Sequence, residues 1–204
     1  QKVFQEMLKY KPSMQKMLVA DDEEEESLDP RLLGDLIIRS FPWPIGVELR
    51  RLFSASTRQL DRMRLDQIFK TIERSMQFIS FLMISQLWKD TKEKNLVLPD
   101  GFKKEFADRI AVLSMGNYTW LIRAIGTFMQ EKGLQWFMPE MGENFDKKFY
   151  AALDFWVPER NEIGHYQINL TDGEIEKRCV EYEEKLSIIL EKLAFIAKYK
   201  LVSV

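Results

Sequence analysis

The sequence predicts an all-α protein, an antiparallel bundle of long helices with short connections, and three observations carry that prediction. Apolar residues recur at intervals of three and four along most of the chain. Prolines and cap-forming residues punctuate the recurrences at helix-sized intervals. No segment alternates apolar and polar residues as a half-buried strand would, and no hairpin dipeptide separates strand-like runs. At 204 residues, 46% hydrophobic and 12% aromatic, the chain has material for a sizeable core.

In chain order, Phe4, Met7 and Leu8, then Met14, Met17 and Leu18, follow a helical rhythm interrupted by Pro12, which predicts two short helices or one kinked helix. Residues 1–20 thus form an N-terminal helical segment. The run from Asp21 to Glu26 is six acids that repel one another, so residues 21–28 read as a solvated linker. Residues 29–204 form the bundle domain. Asp29 and Pro30 open a helix through Ser40, with Leu32, Leu33, Leu36 and Ile37 on its apolar face. Phe41-Pro42-Trp43-Pro44 must leave that helix, because each proline fixes its own φ and pushes its predecessor toward extended backbone; a packed corner is expected. Ile45 to Phe53 resumes as helix.

Ser56-Thr57-Arg58-Gln59 has the form of a capping box and predicts the start of a long spine helix reaching about Trp88. Leu60, Met63, Ile68, Ile72, Met76, Ile79, Leu82 and Met83 form its apolar stripe. Arg50, Arg51, Arg58, Arg62, Arg64, Lys70 and Arg74 read as a solvated basic face, with a phosphate-tracking surface as the minor alternative. After a loop over 95–100 come helices from Gly101 to Val112 and from Asn117 to Glu131, the second closed by Gly133. Residues 137–142 form a hinge, and Phe145 to Trp156 leads on toward the only histidine. Thr171-Asp172-Gly173-Glu174 is a second capping box, opening a final helix to about Tyr199.

Composition excludes several functions. A single cysteine, Cys179, cannot close an internal disulfide, and no cationic apolar leader precedes a cleavage-like site, so a cytoplasmic protein is expected. The chain starts at Gln1, not at a methionine, and stops directly after a helical pattern, as a piece cut from a longer protein would. Its most apolar stretch, Ser75 to Trp88, is interrupted by polar residues and shorter than the roughly 20 residues a membrane span needs. A net charge of −2 leaves any nucleic-acid binding to a local patch. Phosphate-binding glycine loops, a dinucleotide fingerprint and a nucleophile elbow are all missing. One cysteine and one histidine do not make a usual zinc site, and Glu162-x-x-His165 lacks the second such pair a di-iron bundle uses. Neither a cofactor nor a metal is expected.

What remains is Arg160-Asn161-Glu162-Ile163-Gly164-His165. On a helix Asn161 and His165 share a face, while Gly164 removes bulk beside the Arg160 guanidinium, leaving a surface fit for a phosphate. Pro158 suits a first turn or a kink, so the motif is expected just after a change of direction. The plain alternative pairs Arg160 with Glu159 or Glu162 on a solvated face and leaves His165 a surface or packed residue.

An all-α bundle with Arg-x-x-x-x-His near its C-terminal end, and a polar residue directly after the arginine, resembles the HEPN domains, helical modules of bacterial toxins, defence effectors and RNA-processing enzymes. The likeness covers roughly residues 30 to 200 as architecture, and Arg160, Asn161 and His165 carry its specific part. It implies a metal-independent endoribonuclease acting as a homodimer, with RNA or a nucleotide as ligand and a fused or partner domain governing activity. Arg160, His165 and Asn161 are its catalytic candidates. A non-catalytic HEPN-like nucleotide-binding or dimerisation module, and a plain helical interaction domain, stand as the alternatives.

Overall fold

A computed structural model describes residues 1–19, 29–166 and 170–200, with the side chains of 18, 19 and 164–166 outside the description. The acidic linker therefore lies outside the described residues. Among those residues there are ten α-helices and no strand, so the all-α class holds. None of these helices is long and apolar enough to cross a membrane. The chain divides into two compact units, residues 1–72 with 166–204, and residues 73–165.

The first unit is built from both ends of the chain. It contains α1 (Lys2–Tyr10), α2 (Gln15–Val19), α3 (Pro30–Ser40), α4 (Trp43–Leu52), the opening turns of α5 (Arg62–Glu93), and α10 (Asp172–Lys192). α1 buries Val3, Phe4 and Met7 and packs on α10 and on the 3-10 segment Ala194–Lys198, with the Tyr10 ring edge-on to Phe195 at 6.3 Å. The last helix thus ends at Lys192 and tightens into that 3-10 segment instead of running to Tyr199. The opening turns of α5 are tied to α10 by the Arg64–Glu183 ion pair and by an edge-on Phe69–Tyr182 contact at 5.5 Å. Glu48 is buried on α4 and is satisfied by Arg51 at 3.0 Å and by the Gln67 amide at 2.9 Å, which a buried carboxylate requires.

Caps explain the helix ends. Asp29 accepts from the Arg31 N–H at 2.8 Å with Pro30 in the first turn, and Thr171 with Glu174 completes a reciprocal capping box. The predicted box at Ser56 does not start α5. There the chain makes a 3-10 turn, Ala55–Thr57, in which the Thr57 hydroxyl donates to the carbonyls of Arg51 at 2.6 Å and Leu52 at 2.9 Å, closing the end of α4. Asp61 caps α5 instead, accepting from the Arg64 N–H at 3.0 Å. The buried stripe of α5 is Leu65, Ile68, Phe69, Ile72, Met76, Ile79, Met83 and Leu87; Met63, expected on it, is exposed.

The corner between α3 and α4 is packed on one side only. Phe41 is extended and buried, whereas Trp43, at the first position of α4, is 76% exposed. Pro44 fits in the first turn, where a missing N–H costs nothing, so α4 starts two residues earlier than predicted. Gly46 allows the close approach that fixes the corner, for a Cβ there would lie 2.7 Å from the Ile38 carbonyl oxygen.

The second unit holds the rest of α5, then α6 (Asp100–Ala111), α7 (Met115–Glu131), α8 (Glu140–Asn144) and α9 (Lys147–Tyr166). The expected hinge over 137–142 carries the start of the short α8. Gly133, at φ +60, ends α7 in a left-handed turn, with Leu134 N–H donating to the Met129 carbonyl and Gly133 N–H to that of Gln130. Buried Gln86 on α5 clamps the following segment, donating to the Gln135 carbonyl at 2.7 Å and accepting from the Phe137 N–H at 3.1 Å.

Candidate functional site

α9 positions the motif. Asp146 caps its start, accepting from the Phe149 N–H at 2.9 Å. Phe149, Ala152, Leu153, Trp156 and Ile163 are buried at helical spacing and hold one face of α9 down to its last turns. Arg160, Asn161 and Glu162 stand on the exposed remainder.

Pro158 does not open a new helix, because it lies inside α9. The missing N–H forfeits one intrahelical bond, that to the Asp154 carbonyl, while the buried stripe on either side keeps the turns in place. The motif accordingly occupies the C-terminal turns of a helix, where no free backbone N–H groups face a ligand and the macrodipole does not favour an anion. Any phosphate held there is held by side chains.

Arg160 meets that need in one respect, since it is exposed and is in no ion pair among the described residues. The plain pairing with Glu159 or Glu162 is therefore not its state. Asn161 is exposed beside it. The helical backbone continues to Tyr166, so His165 follows Asn161 by four residues, about 6 Å along the axis. The His165 side chain itself lies outside the described residues.

A second cluster, not anticipated from the sequence, lies between α7 and α9. Arg123 binds the Asp154 carboxylate through Nε and Nη2, donates to the Tyr150 carbonyl at 2.9 Å, and stacks over the Tyr150 ring at 4.8 Å. The Tyr150 hydroxyl sits so close to Gly126 that a Cβ there would lie 2.6 Å from it. Burial raises the Tyr150 pKa and the neighbouring Arg123 charge opposes the rise. This cluster borders a cleft of about 470 Å³, but its guanidinium is already satisfied by Asp154, which marks it as a brace between helices. Pairs so distant in sequence leave no local signal.

Several of the basic residues around the start of α5 are similarly committed, Arg51 to Glu48, Arg62 to Asp66 and Arg64 to Glu183. The fold and the exposed motif thus define an all-α chain carrying an uncommitted arginine and an amide one turn ahead of its single histidine. Compared with known proteins, the chain matches no family model, no curated protein and no solved structure.

Proposed function

We propose that the chain is a metal-independent endoribonuclease of HEPN type that acts as a homodimer through Arg160, Asn161 and His165. One observation supports this above others: Arg160 and Asn161 are exposed, Arg160 is in no ion pair among the described residues, and both are carried on a helix that continues through His165. Such an arginine is available to a phosphate.

The chemistry explains the dimer. Cleavage through the 2′-hydroxyl needs a base to take its proton as the 2′-oxygen bonds to phosphorus, and an acid to protonate the departing 5′-oxygen. Positive charge must also stabilise the pentacoordinate phosphorus. One chain has one histidine. Two copies related by a two-fold axis supply both proton-transfer groups and two arginines, and leave a 2′,3′-cyclic phosphate and a 5′-hydroxyl. Asn161 orients the imidazole or bonds the phosphate. The same reading makes the chain a cytoplasmic effector of the defence or toxin kind, governed by a fused or partner domain.

The test is incubation of the purified protein with labelled RNA in EDTA. Cleavage is expected, and Arg160→Ala and His165→Ala are each expected to slow it at least about 100-fold. Intact RNA with a confirmed dimer would replace this reading with a non-catalytic nucleotide-binding or dimerisation module. A strict monomer without cleavage would leave a helical interaction domain.

A further inference from the structure

We propose that the α3–α4 corner is a binding site for single-stranded RNA, with one base stacked on Trp43 and the adjoining phosphates held by Arg39 and Arg50. The choice of RNA rests on the function proposed above, but the site is argued from its own geometry. Trp43 is 76% exposed on a corner that is otherwise rigid. The Pro42 carbonyl accepts from the N–H groups of Ile45 at 3.0 Å and Gly46 at 2.9 Å, Phe41 and Ile45 are buried beneath, and the Gly46 backbone lies against the Ile38 carbonyl. An indole displayed this way is preorganised, so stacking on it does not first require ordering the backbone that carries it.

The surroundings select the ligand. Trp43, Arg39 and Arg50 line one cleft of about 270 Å³, with Val47 and Phe41 in its wall. Arg39 and Arg50 are exposed and in no ion pair among the described residues, unlike Arg51, Arg62 and Arg64. A flat aromatic face sharing a cleft with two uncommitted guanidinium groups complements a base and its adjoining phosphates, the combination single-strand binders use. An acidic peptide offers the charge without the flat face. An anionic membrane would require a broader basic or apolar surface than one indole and two arginines, on a chain whose net charge is −2.

The experiment measures binding apart from cleavage, by fluorescence anisotropy of a labelled oligouridylate in EDTA, with His165→Ala as the background. Trp43→Ala is expected to weaken binding about tenfold or more, and Trp43→Phe to retain part of it. The double substitution Arg39→Ala with Arg50→Ala is expected to weaken binding and to flatten the dependence of log K on log salt by about 1.4. The Trp43, Arg39 and Arg50 side chains are exposed, and unchanged circular dichroism and melting confirm that the variants fold. Wild-type affinity in both Trp43→Ala and the double variant overturns the site even if the protein cleaves RNA. Loss of binding in those variants upholds it even if no cleavage is ever seen. Absence of any binding overturns it, as does a Trp43→Ala variant that loses binding to phosphatidylserine vesicles while keeping its affinity for RNA.

Discussion

Cys179 is fully buried, and its thiol donates to the Asp61 carbonyl at 3.5 Å. Burial, reinforced by the nearby Glu183 carboxylate, pushes its pKa up to about 11, against the opposing pull of Arg64. The folded protein therefore keeps a proton that the unfolded chain releases near pH 9, so this residue's contribution to stability falls as pH rises from about 9 toward 11. The denaturation midpoint of the native protein should drop more over that range than that of Cys179→Ala. At pH 8 the thiol should resist a disulfide reagent until denaturant is added; rapid native-state reaction would refute the assignment. At this scale the sequence was informative about Arg160 and Asn161, whose exposure follows from helical spacing. Of the two roles it offered Pro158, the first-turn role is not the one found, since the buried stripe through Phe149, Leu153, Trp156 and Ile163 carries the helix past one lost hydrogen bond.

Helix termini show how cap chemistry is shared between neighbours. Hydroxyls at Ser54 and Thr57 serve the end of α4, which leaves Asp61 to start α5. Asp61→Ala is accordingly expected to cost about 1 kcal/mol, while Ser56→Ala should lie within about 0.5 kcal/mol of the native protein. Urea denaturation compares the two, and equal losses would return the cap to Ser56. Thr171 and Asp29 were legible because their partners lie two or three residues away. Ser56 was not, because a serine three residues before a glutamine reads identically whether its turn opens one helix or closes another. The brace of Arg123 on Asp154 was equally silent, since it joins helices through residues that look like ordinary surface charges.

At the scale of the molecule, the first unit depends on contacts between the two ends of the chain. Phe4 and Phe195 are both fully buried in it. Phe4→Ala should cost about 3–5 kcal/mol, read as a lowered denaturation midpoint; a loss below about 1 kcal/mol would show that α1 is dispensable. The helical class was readable from periodicity alone, whereas the pairing of α1 with Ala194–Lys198 was not, because periodicity reports that a face is buried and not what covers it. This unit has a consequence for biosynthesis. Residues 73–165 are all made before residues 166–204, so the second unit has its complete set of residues while the first still lacks α10. Phe4 and Met7 are translated well before α10 and Ala194–Lys198, the segments that α1 packs on, and wait as uncovered apolar surface until those are made, which makes the nascent α1 a segment in need of chaperone shelter.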